Sequence, residues 1–75
     1  MEIKEAALTI HEALEKYGVD EFVVIATADG VTFRLGKIDK MSSKKYSRAD
    51  LVTRDEVSVL KDIEELIVGL KRGWI

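Results

Sequence analysis

Residues 21–38 read EFVVIATADGVTFRLGKI, and the fold turns on how this stretch is paired. Two apolar, β-branched runs flank Asp29-Gly30. Asp-Gly in that setting is the strongest short-range hairpin signal, because a two-residue type I′ turn requires positive φ at both central positions. With Asp29-Gly30 at the centre, Ala28 faces Val31, Ala26 faces Phe33, Val24 faces Leu35 and Phe22 faces Lys37. Side chains alternate faces along a strand. One face then carries Phe22, Val24, Ala26, Val31, Phe33 and Leu35, all apolar. The other carries Val23, Ile25, Thr27, Thr32, Arg34, Gly36 and Ile38, a mixed set.

Helical patterns flank the hairpin. Over residues 2–17, Ile3, Ala7, Ile10, Leu14 and Tyr17 recur at helical spacing, with Ala6 and Ala13 widening the stripe. Glu2 and Glu5 sit where the helix dipole favours negative charge. Gly18 suits a left-handed C-terminal cap, with Val19 returning to Leu14. Leu8 falls off the stripe. Further on, Thr53 and Glu56 have capping-box spacing, and Val52 and Val57 are placed as a hydrophobic staple. Val57, Leu60, Ile63, Leu66, Ile67 and Leu70 form the second stripe, broadened by Val59 and Val68, and Gly73 closes it. Residues 39–52, DKMSSKKYSRADLV, show no clear period. They read as a basic connecting loop, or as a short helical turn capped by Ser42-Ser43 and carrying Tyr46, Ala49 and Leu51. The expected class is therefore α+β: helix–β-hairpin–helix, both helices on one face of a two-stranded antiparallel sheet. A lone hairpin is marginal and has two open edges, so extension to four strands in a dimer is a natural completion.

With 75 residues the chain is one small domain, residues 1–75. A domain of that size buries only about 60% of its unfolded surface. Small folds therefore lean on a staple, a metal or a partner subunit. There is no cysteine and one histidine, which excludes disulfides and thiolate metal sites and argues against a zinc site; no cofactor is expected. A homo-oligomer, with a dimer favoured, is the remaining expectation. No apolar run approaches the ~18 residues of a membrane span. Met1 leads directly into a charged helix, so the reading is of a cytoplasmic protein without a signal peptide. The absence of Pro, Asn and Gln and the 35% charged residues resemble hyperthermophile composition.

Charge is unevenly distributed. From residue 34 to 48 there are six bases and one acid, a net of +5, so the chain's −2 leaves −7 elsewhere. Arg34, Lys37, Lys40, Lys44, Lys45 and Arg48 surround Tyr46, with Ser42, Ser43 and Ser47 between them. Cations with small hydroxyl donors suit a phosphate backbone, and an exposed aromatic could stack on a base. The same charges could dock an acidic protein partner or the acidic helices of a second copy. Candidate oligomer contacts are Val23, Ile25, Ile38, Val68 and Trp74.

Little points to catalysis. His11 has Glu15 one helical turn away, but a nucleophile motif, a P-loop and a dinucleotide fingerprint are all lacking. Asp29-Gly30 is explained by the turn, and Asp62, Glu64 and Glu65 read as a solvated helix face. The expected function is that of a small non-enzymatic interaction or regulatory protein acting as a homo-oligomer. Nucleic-acid binding through Arg34 and residues 37–48 is the second reading, and an enzyme with an intersubunit site containing His11 the third. The run from Tyr17-Gly18-Val19 through Asp29-Gly30-Val31 resembles the opening of roadblock-type domains, which begin with a helix, a Gly-Val step and a hairpin. Those domains continue with further strands after their second helix, so the resemblance implies no function for this chain.

Overall fold

The computed structural model describes residues 1–37 and 40–73, with side chains over 1–36 and 41–69. Its elements are α1 (Ile3–Lys16), β1 (Phe22–Thr27), β2 (Gly30–Lys37), β3 (Lys40–Ser47), α2 (Arg48–Val52) and α3 (Glu56–Gly73). The α+β class holds. The sheet, however, has three antiparallel strands in the order β1-β2-β3, not two. The segment 39–52 is not a connecting loop: most of it is β3 followed by the one-and-a-half-turn helix α2.

The first helix follows its pattern except at Tyr17, which caps the helix and is 40% exposed rather than part of the buried stripe. Ala6, Ile10, Ala13 and Leu14 are buried. Gly18 takes φ 74° and Val19 N donates to Leu14 O at 3.0 Å, the Schellman closure its sequence predicts. The hairpin differs in register. Thr27 pairs with Gly30, Ala26 with Val31, Val24 with Phe33 and Phe22 with Leu35. The turn is thus Ala28-Asp29, and neither residue has positive φ. Asp29 N donates to Thr27 Oγ1 at 3.2 Å, so the threonine side chain stabilises the reversal. The register is displaced by two residues from the Asp-Gly expectation. An even displacement keeps every side chain on its face, and the apolar face assignment survives: Val31, Phe33 and Leu35 are fully buried.

Gly30 serves the sheet rather than the turn. A Cβ placed there would lie 2.1 Å from Tyr46 O, because β3 passes directly against it. β3 pairs along the whole of β2, with Val31 opposite Tyr46, Phe33 opposite Lys44 and Leu35 opposite Ser42.

The corner between β3 and α3 is built from caps. Ser47 and Asp50 form a reciprocal capping box at the start of α2. Leu51 anchors that helix in the core. Thr53 closes α2, and its hydroxyl donates to Asp50 O. The N-terminal cap of α3 therefore falls to Asp55, whose carboxylate accepts from Ser58 N at 2.8 Å. Thr53 and Glu56 form no capping box across α3. Val52 and Val57 form no buried staple, being 80% and 74% exposed. The α3 stripe is Val59 and Ile63, with Leu60, Leu66 and Ile67 partly buried. One core results, walled by α1, α2 and α3 on one side and by the inner face of the sheet on the other.

Candidate functional site

The three strands contain Arg34, Lys37, Lys40, Lys44 and Lys45 and not one acid. Register assigns their side chains. On the helix side β2 places Val31, Phe33 and Leu35, and β3 places Tyr46, Lys44 and Ser42 opposite them. The outer side carries Val23, Ile25 and Thr27 from β1, Thr32, Arg34 and Gly36 from β2, and Met41, Ser43 and Lys45 from β3. No described element covers this outer face. Val23, Ile25 and Met41 are 43%, 52% and 49% exposed on it. Arg34 and Lys45 are exposed there as well. Glu21, just before β1, lines a shallow groove at its margin with Phe22, Val23, Arg34, Gly36 and Met41.

The basic set is thereby divided. Arg34 and Lys45 share the outer face. Arg48 is exposed on α2, and its backbone N donates to Asp29 O at 3.0 Å. The strand positions Lys37 and Lys40 pair at the far end of β2–β3, and their side chains lie outside the described residues. Lys44 turns inward and stands 4.0 Å from Asp62.

Tyr46 is a core residue at 1% exposure, so it offers no ring to an external base. It stacks on Phe33 with centroids 6.2 Å apart and donates its hydroxyl to Asp62 Oδ2 at 2.6 Å. Arg54 Nη1 donates to the same carboxylate oxygen at 3.1 Å and to Ser58 Oγ at 2.9 Å. Lys44 and Arg54 each hold a cation 5.6 Å from the Tyr46 ring centre. Burial, then the hydrogen bond to the Asp62 carboxylate, push the Tyr46 phenol well above its ordinary value. Asp62 is therefore no solvated helix acid. It is the joint at which β3, the α2–α3 corner and α3 meet. The single cue in the sequence was an aromatic inside a Lys/Ser run.

His11 lies elsewhere. Its Nε2 is 2.6 Å from Glu15 Oε1, and its ring meets Phe22 edge-on at 5.3 Å. Both side chains of the pair are about half exposed or more. Among the described residues, three or more His, Cys, Asp or Glu side chains nowhere gather as a metal-holding group. Of the candidate oligomer contacts, Val23 and Ile25 stand together on the outer face, Val68 is exposed on α3, and Ile38 and Trp74 lie outside the described residues. No described helix is long and apolar enough to cross a membrane. Comparison with known proteins finds no match to a family model, a curated protein or a solved structure.

Proposed function

We propose that this chain is a non-enzymatic, cytoplasmic interaction protein that acts as a homo-oligomer and docks an acidic polypeptide on the outer face of its sheet. The observation that carries the reading is the acid-free sheet, whose outer face combines Arg34 and Lys45 with exposed Val23, Ile25 and Met41. Interfaces specify partners by complementary charge and gain affinity from apolar contact within the charged rim. The helices α1, α2 and α3 hold eight acids and six bases, a net of −2, whereas the strands hold five bases and no acid, so the cationic excess belongs to the sheet. Nucleic acid is the weaker reading because Tyr46, the aromatic of the basic segment, is in the core. That leaves phosphate attraction without a stacking group.

A fluorescein-labelled amphipathic peptide of alternating glutamates and leucines and a labelled duplex DNA serve as probes. The peptide should bind at low salt, and the double variant Arg34→Glu/Lys45→Glu, altered only at exposed positions, should lose at least about tenfold in affinity, or about 1.4 kcal/mol. The reading is overturned if the peptide does not bind. It is also overturned if the duplex binds more tightly, with a salt slope of about −0.9 per phosphate neutralised.

A further inference from the structure

The two outer strands of the sheet are built differently. β3 is lysine-rich, the usual guard of an exposed edge. β1, FVVIAT, has no charge, no proline and no glycine, and every one of its side chains is at least partly exposed. On its helix side even Val24 is only half-buried and Ala26 is exposed, so α1 does not close over this strand. Its open edge can be located atom by atom. Opposed residues in an antiparallel ladder alternate between bonded and non-bonded pairs. Gly36 N donates to Glu21 O at 3.0 Å, which marks Glu21 and Gly36 as a bonded pair. Counting by twos along the register, Val23, Ile25 and Thr27 turn their N–H and C=O groups to β2. Phe22, Val24 and Ala26 turn theirs outward, and among the described residues those three make no hydrogen bond to any other element.

We infer that β1 pairs with β1 of a second copy, antiparallel and centred on Val24, to give a continuous six-stranded sheet. The inference rests on the homo-oligomer reading above and names its edge and register. A two-fold through Val24 sets Val24 against Val24 and Phe22 against Ala26 of the second copy. All outward-facing amides and carbonyls of the three residues then become paired. The large Phe22 side chain meets the small Ala26, and the exposed Val23 and Ile25 meet each other on the outer face. The strand is uncharged, so self-pairing brings no like charges together, and Glu21 would lie opposite Thr27 rather than its own copy. An isologous contact of this kind closes on itself and leaves the lysine-guarded β3 strands at both ends. It also joins two outer faces into one surface with doubled charge.

Sedimentation equilibrium and amide hydrogen exchange on the unmodified chain, from micromolar to millimolar concentration, test this. A monomer–dimer equilibrium is expected, with exchange of Phe22, Val24 and Ala26 slowing by at least about tenfold as the dimer fills. Ile25→Lys, at a half-exposed position outside the core, should weaken the dimer by a similar factor. A monomer at millimolar concentration overturns the homo-oligomer reading together with the edge. A dimer that leaves those three amides unprotected, or that ignores Ile25→Lys, overturns the edge pairing alone.

Discussion

At the scale of single residues, Tyr46 and Gly30 show how close β3 lies to the rest of the molecule. Tyr46 joins the Phe33 ring to the Asp62 carboxylate, which Arg54 also holds. Tyr46→Phe keeps the stacking and loses the hydroxyl. It should cost about 1–2 kcal/mol in urea unfolding. The phenol is raised in the folded state, so the stability it lends is present below the unfolded tyrosine value near pH 10 and is lost as pH rises beyond it. Wild-type protein should therefore lose stability on the alkaline side of that value, and Tyr46→Phe should lose less; titrations by circular dichroism at rising pH compare them. Gly30→Ala would drive a Cβ to 2.1 Å from Tyr46 O, a backbone atom that cannot swing aside. The expected loss is about 2–4 kcal/mol by thermal unfolding. In the sequence Gly30 reads as a turn glycine. Its actual role depends on a neighbour sixteen residues away, which no local pattern displays.

At the scale of elements, legibility follows burial. α1 was readable because one side of it is buried from Ala6 to Leu14 and Gly18 beyond its end takes the positive φ that its cap requires. The inner face of β2 was readable for the same reason, through Val31, Phe33 and Leu35, and β1 followed by alternation although none of its side chains is fully buried and the register was displaced. β3 was not. It contributes one side chain, Tyr46, to the fully buried core, so its alternation carries almost no hydrophobic signal. Lysine and serine make it resemble a loop, yet lysine is what an edge strand uses to discourage further pairing. A hairpin that is marginal alone, followed by a lysine-rich run of strand length, is the cue that locates such an edge. The caps of α2 and α3 were displaced by similar logic: Thr53 offers a hydroxyl equally suited to ending one helix or starting the next. Ser47→Ala removes half of the α2 capping box. It should cost about 1 kcal/mol. The Asp50 carboxyl is held below its ordinary value first by the Ser47 amide and then by the Ser47 hydroxyl. The stabilising contribution of Asp50 is therefore present above the unfolded carboxylate value and lost as pH falls through the folded one. In Ser47→Ala its titration, followed by carboxyl NMR, should move part of the way back up.

At the scale of the whole molecule, the candidate docking residues were found as a cluster in sequence and dispersed by the fold. Alternation sends Tyr46 into the core, Lys44 to the partly exposed helix side of the sheet and Lys45 to the opposite face, a division that cannot be drawn until the segment is known to be a strand. What survives is a sheet whose strands hold no acid, packed on helices of mixed charge, with an apolar and cationic outer face. Backbone amide shift mapping of the isotope-labelled chain with the glutamate–leucine peptide tests that surface most directly. Perturbations gathered on Val23, Ile25, Thr32, Arg34, Ser43 and Lys45 are the predicted result. Perturbations gathered instead on α1 and α3, with the strands unmoved, would contradict it.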